Sequence, residues 1–173
     1  MNYEPAFHIV LYQPEIPQNT GNVGRTCVAV GAKLWLVRPL GFRTDSRHLR
    51  RAGMDYWEQL QWEAVDGWEE LVQRLAQRPM WYFSKTAARP YTDASFRRGD
   101  VLVFGSETQG LPPTLLRAER DRVLRIPMRS AARSLNLACS VAVAAYEAVR
   151  QAAVGGEISS PERAIVPSIL QPR

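Results

Sequence analysis

Val101-Leu102-Val103-Phe104-Gly105-Ser106-Glu107-Thr108-Gln109-Gly110-Leu111-Pro112 runs from a short apolar stretch directly into a loop punctuated by glycine. The apolar run is short, carries two β-branched residues and ends at a breaker, which predicts a buried strand over Val101–Phe104. Similar runs recur along the chain at Phe7–Tyr12, Leu34–Val37, Met80–Phe83 and Val123–Ile126, with Leu60–Val65 as a further candidate. Helical patterns fall between them. Arg25–Val30 is closed by Gly31, and Ser46–Arg51 has Ser46 as N-cap with Gly53 beyond its end. Asp66–Gln77 opens on a capping-box-like Asp66–Glu69 pair and carries Glu70 and Arg74 at a favourable i,i+4 spacing. Leu137–Ala152 is rich in alanine and valine. Strands alternating with helices predict an α/β fold with a mainly parallel sheet flanked by helices.

The chain has 173 residues, 46% hydrophobic and 23% charged, which excludes a disordered or fibrous chain and predicts one core. Two cysteines, Cys27 and Cys139, are too few for a disulfide scaffold. With only His8 and His48, no zinc site of the usual ligand spacing can be written, and no metal is expected. The apolar run at Phe7–Tyr12 is too short for a signal peptide or membrane span, so the expectation is a cytoplasmic protein without a membrane partner. Residues 155–173, with Pro161, Pro167 and Pro172, read as an irregular or mobile extension of a domain over 1–154.

The formal net charge is +5, and every basic residue except Lys33 and Lys85 is arginine, the better bidentate phosphate ligand. The charge is segregated. Arg38, Arg43, Arg47, Arg50 and Arg51 face only Asp45 over 38–51, and six arginines face only Glu119 and Asp121 over 117–133. Asp55, Glu58, Glu63, Asp66, Glu69 and Glu70 occupy a stretch without a basic residue. A basic face of this kind suits a nucleic acid.

The familiar nucleotide signatures are absent. No G-x-G-x-x-G follows a strand, and no G-x-S-x-G elbow is present. Gly105 to Gly110 has the spacing of a P-loop, but Leu111-Pro112 stands where Lys-Ser/Thr belongs. Ligands of open α/β sheets bind outside the carboxyl ends of the strands, which leaves three irregular segments as candidates. These are Pro14 to Arg25, Phe104 to Pro112, and Ile126-Pro127-Met128 with Arg133-Ser134-Leu135-Asn136-Leu137.

Taken in order, N-x-x-x-x-x-R, F-G-S-E-x-x-G-L-P and I-P-M with R-S-L-N-L resemble the three motifs of the SPOUT RNA methyltransferases. Leu49-Arg50-Arg51-Ala52-Gly53-Met54-Asp55-Tyr56, Pro14-Glu15-Ile16-Pro17 and Tyr146-Glu147-Ala148 look most like the TrmL type, which methylates the 2′-hydroxyl of cytidine or uridine 34 of tRNA. The resemblance runs from about Phe7 to Gln151. It implies a C-terminal trefoil knot, a feature that pattern alone would never predict.

It also implies a cofactor, S-adenosyl-L-methionine, walled by Phe83, Gly105, Glu107, Gly110, Ile126, Met128, Ser134 and Leu135, with backbone groups of 126–128 reading the adenine edge. Phe83 and Ile126 serve equally as core packing, and Glu107 would pair with Arg25, steer the cofactor or close a turn. Arg25, with Asn19 beside it, would carry methyl transfer together with Ser134 and Asn136. A guanidinium hardly deprotonates, so Arg25 is either a base or an anchor for the phosphate beside the reactive ribose. Ser134 orients the ribose or caps the following helix, or both. Arg50 and Arg51 are the candidates for RNA phosphate contacts. Helix 137–152 carries small apolar residues on nearly every face, which fits burial on two sides in a homodimer. The alternatives are the same reaction on ribosomal RNA or another tRNA position, and a non-catalytic RNA-binding protein.

Overall fold

The computed structural model describes residues 4–44 and 57–157. Among the described residues six strands form one sheet: β1 (His8–Tyr12), β2 (Lys33–Val37), β3 (Trp62–Val65), β4 (Met80–Phe83), β5 (Val101–Phe104) and β6 (Val123–Leu124). Their order is β3-β2-β1-β5-β4-β6 and every pairing is parallel. Among the described residues four α-helices accompany them: α1 (Pro17–Val30), α2 (Trp68–Arg74), α3 (Pro113–Ala118) and α4 (Leu137–Val154). The mainly parallel α/β class read from the sequence is the class observed.

The sheet is buried on both faces, as parallel sheets are. Alternation along each strand divides the core. Ile9, Leu11, Leu34, Leu36, Leu102 and Phe104 pack with Val23, Cys27 and Val30 of α1 and with Val141, Ala144, Ala145 and Ala148 of α4. Val10, Trp35, Val37, Val101, Val103 and Tyr82 pack with Leu71 and Leu75 on the opposite face. By length and composition α4 would match a membrane span, yet its alanine-rich side is buried along α1 and β5.

Several boundaries differ from the sequence reading. The segment Pro14 to Arg25 is not irregular throughout, because α1 already begins at Pro17, the first helical position that proline suits. Asparagine and glycine are poor helix formers, so propensity hides this start. Burial overrides it: Thr20, Gly21, Val23, Gly24 and Cys27 are buried. A Cβ on Gly24 would meet Leu60 Cδ2 at 2.9 Å. Helix α2 is shorter than 66–77, and Glu70, not Glu69, reaches back to the Asp66 N–H at 2.9 Å. Strand β6 stops at Leu124, where Arg125 turns to Arg89 and Pro90 instead of a full ladder. The N-cap of α4 is Asn136, not Ser134. The reading of Ser46–Arg51 as a helix lies outside the described residues, as does the extension from 158 onward.

Candidate functional site

Strands β1 and β2 lead one way from the middle of the sheet, and β5 and β4 the other, so β1 and β5 flank the switch point. Crevices for ligands open at the carboxyl ends of such a pair. The loops that follow them are the first and second sequence segments, and the third segment arrives beside them.

The loop after β5 is closed on itself. Gly110 N–H donates to the Ser106 carbonyl at 3.0 Å, and Gln109 N–H donates to Ser106 Oγ at 3.2 Å. A Cβ on Gly105 would lie 2.0 Å from the carbonyl carbon of Gly110 and 2.2 Å from the nitrogen of Leu111. No side chain fits there. Gly110 holds the left-handed conformation, φ +69°, with open space around it.

This closed loop presents Glu107 to the start of α1. Ile16, the N-cap of α1, makes no side-chain cap of its own. Glu107 supplies one from across the sheet: Oε2 accepts from the Glu15 N–H at 2.8 Å and Oε1 from the Ile16 N–H at 3.2 Å. A carboxylate is favoured beside a helix N-terminus. Oε1 also accepts from Asn19 Nδ2 at 2.9 Å. Asn19 Oδ1 then accepts from Asn136 Nδ2 at 2.9 Å. Asn136 Oδ1 caps α4 by accepting from the N–H groups of Ala138 and Cys139, at 2.9 and 3.3 Å. One hydrogen-bonded chain, Glu107–Asn19–Asn136, therefore joins all three sequence segments. The sequence reading named all three residues; it had no signal that they touch.

Arg25 stands apart from that chain. It is exposed on α1, six residues after the buried Asn19. Six residues are about 9 Å along the helix and about 120° around it, so the two do not sit side by side. Phe83, at the end of β4, stacks on Phe104, centroids 4.5 Å apart and planes 12° apart, inside the core. Ile126 packs partly against the same core, and Met128 is half-buried. Ser134 and Leu135 lie in the exposed run 129–136 that leads into α4. No backbone hydrogen bond among the described residues uses the N–H or C=O groups of Ile126 and Met128. Arg50 and Arg51 lie outside the described residues. Among the described residues no cluster of His, Cys, Asp or Glu suits a metal ion.

Comparisons with known proteins bear on the family and the fold. Residues 6–146 match the model of the SpoU rRNA Methylase family. The tRNA (cytidine(34)-2′-O)-methyltransferase of Saccharophagus degradans is 44% identical over 154 residues, covering 87% of this chain and 98% of the relative. A solved structure described as giving insights into the 2-OH methylation of C/U34 on tRNA superposes with a TM-score of 0.80. It is 47% identical, and the match covers 87% of this chain and 97% of that one. The SpoU methyltransferase AviRb from Streptomyces viridochromogenes, in complex with AdoMet, superposes with a TM-score of 0.72 at 26% identity. That match covers 87% of this chain and 59% of AviRb.

Proposed function

The chain belongs to the SpoU rRNA methylase family, and from that premise we propose that it transfers a methyl group from S-adenosylmethionine to the ribose 2′-hydroxyl of nucleotide 34, the wobble cytidine or uridine of tRNA. The observation that carries this reading is the Glu107–Asn19–Asn136 chain, which ties the three motif segments into one site. The family description names rRNA, but the Saccharophagus degradans relative, matched over nearly its whole length, is named for tRNA, which favours tRNA.

The residues present fit the cofactor. Unspent backbone N–H and C=O groups at Ile126 and Met128 offer the donor and acceptor that an adenine edge needs, and Ile126 and Leu135 offer apolar contact. At Gly110 the open space and the missing side chain let a ligand approach the backbone closely. When bound, S-adenosylmethionine supplies an electrophilic methyl group on a sulfonium centre. Arg25 is exposed and able to meet RNA; as a permanent cation it anchors the phosphate beside the reactive ribose and stabilises charge developing on the 2′-oxygen. Ser134 orients the ribose, since the helix cap is already supplied by Asn136. Glu107 and Asn19 hold the loops that position these groups. Arg50 and Arg51 add phosphate contacts that carry no base information.

The C-terminal part forms a trefoil knot in this reading. The return of the chain from edge strand β6 to the start of α1, where Asn136 meets Asn19, supports it. The enzyme acts in the cytoplasm as a homodimer, built on the outer side of α4, where Val143 is 40% and Tyr146 53% exposed. Exposed apolar side chains adjacent on one helix face suit a protein partner. The methyltransferase domain covers 1–154.

Incubating the protein with methyl-labelled S-adenosylmethionine and either total tRNA or ribosomal RNA tests the substrate. Label in tRNA, recovered as 2′-O-methylcytidine or 2′-O-methyluridine, is the expected result. Label confined to ribosomal RNA would replace the tRNA reading.

A further inference from the structure

The loops after β1, β2 and β5 line an open cleft of about 440 Å³, within the size range of small-ligand sites. It shares only Gly110 with the residues expected around the cofactor. Its apolar lining comes from Tyr12, Pro39, Leu40 and Pro112. Gln13 and Gln109 stand on its rim, and neither side-chain amide has a hydrogen-bond partner among the described residues.

The cleft is already built. Gly41 N–H donates to the Pro14 carbonyl at 2.9 Å, and a Cβ on Gly41 would lie 2.7 Å from Glu15 Cα. Thr108 Oγ1 donates to Glu15 Oε1 at 2.6 Å, closing the wall between the first and third loops. Gln13 holds a left-handed backbone, φ +51°, which is uncommon for a side chain of its kind and characteristic of functional loops. The same Glu15 N–H that flanks the cleft is bonded to Glu107, so cleft and site share a wall.

The lining chemistry selects the ligand. The one charged side chain among the lining residues is Glu15, an anion, which disfavours a phosphate. An apolar lining that includes the Tyr12 ring and the prolines, with two amides that are each donor and acceptor, suits a planar neutral heterocycle that stacks and hydrogen-bonds at its edge. We propose that the cleft receives an unstacked base of the substrate RNA, apart from the pocket that holds the cofactor. The identity of the occupant as RNA rests on the methyltransferase reading above.

Two variants test it. Gln109→Trp fills the cleft from an exposed position, and Gln13→Gly with Gln109→Ala removes both amides while glycine keeps the left-handed backbone. Binding is read with anticodon stem-loop RNAs carrying 2-aminopurine at successive loop positions, and S-adenosylmethionine affinity by calorimetry. The expected result is a fluorescence change at one loop position that both variants abolish. RNA affinity should fall about tenfold, with cofactor affinity within twofold and melting unchanged. Loss of cofactor affinity in both variants would overturn the proposal, because the cleft would then hold the cofactor. Unchanged RNA binding and fluorescence would also overturn it, and normal methylation of nucleotide 34 in those variants would leave the function reading standing. Cleft-dependent RNA binding with no methyl group at nucleotide 34 would support the cleft and overturn that reading instead.

Discussion

Asn136 donates its amide N–H to the side-chain oxygen of Asn19 at 2.9 Å, across 117 residues of chain. The orientation of both amides is forced. Both Glu107 oxygens already accept a backbone N–H, so Asn19 turns Nδ2 toward Oε1 and Oδ1 toward Asn136. Asn136 must then present Nδ2 to Asn19, which leaves its own oxygen for the first N–H groups of α4. A carboxylate at the far end of the chain thus sets the direction of every bond in it, and the three loops are held in one arrangement.

Asn136→Asp separates the two tasks of that residue. A carboxylate still caps α4, so the stability cost is that of the Asn19 oxygen left without its donor, about 1–3 kcal/mol. It cannot donate to Asn19, and methyl transfer should fall at least tenfold. Asn136→Ala should lose the cap as well, about 1 kcal/mol more. Thermal melts alongside initial rates distinguish the tasks; full activity in Asn136→Asp would detach the chain from catalysis.

Two glycines in one loop should behave differently. At Gly105 a methyl group has no room, because backbone atoms stand within 2.0–2.4 Å of its place and cannot yield cheaply. Gly105→Ala should abolish cofactor binding or folding. At Gly110 the space is open and the cost is the left-handed backbone, about 1–2 kcal/mol. Gly110→Ala should fold and bind with modest loss. Calorimetric titration of both variants with S-adenosylmethionine checks the ranking, and equal effects would refute it.

His8 should make stability depend on pH. It is buried on β1, and its Nδ1 accepts the Trp35 indole N–H at 3.0 Å, a bond that requires that nitrogen unprotonated. Burial first, then the charges of Arg78 and Lys33, hold its pKa at about 4, below the ordinary 6.5. The unfolded chain therefore takes up the proton more readily. The stabilisation is present above pH 6.5 and is lost as pH falls through 4, with roughly 1.5 kcal/mol gone between pH 6.5 and 5. Denaturant titrations of wild type and His8→Gln across that window measure it. The substitution should flatten the dependence, and an unaltered slope would place it on other groups.

Val143 faces outward on α4 beside Tyr146, whereas Ala144 is fully buried within the chain. Val143→Glu should leave a folded monomer with reduced methyl transfer, because the charge lies on the proposed contact and not in the core. Sedimentation and a melting curve decide; a dimer of unchanged affinity would remove this face from the interface.

Strands were legible because short apolar runs bounded by breakers survive in any context. Val101–Phe104 and Met80–Phe83 have the ends read from the sequence. The start of α1 was not legible. Its stability comes from Glu107, a residue about ninety positions away, and from close packing of Gly24, neither of which leaves a local periodicity. The candidate site residues were legible only as a set of motifs in order. The resemblance implied that Asn19 stands beside Arg25, but helix geometry turns them to different faces, Arg25 exposed and Asn19 buried. The sequence reading offered Ser134 as the cap of α4; Asn136 holds that place, marked by the bonds it accepts from the Ala138 and Cys139 N–H groups, which no local spacing announces.

The central claim is methyl transfer to the 2′-oxygen of nucleotide 34, with Arg25 acting outside the cofactor pocket. Its most direct measurement is nucleotide-resolved mass spectrometry of one tRNA after incubation with S-adenosylmethionine and either wild type or Arg25→Ala. A second tRNA with 2′-deoxycytidine at position 34 serves alongside. The account predicts one added methyl group at ribose 34 with wild type and none on the deoxy substrate. Arg25→Ala should add none while binding the cofactor within a few-fold of wild type. A methyl group at any other nucleotide, on the deoxy substrate, or in undiminished yield with Arg25→Ala would contradict it.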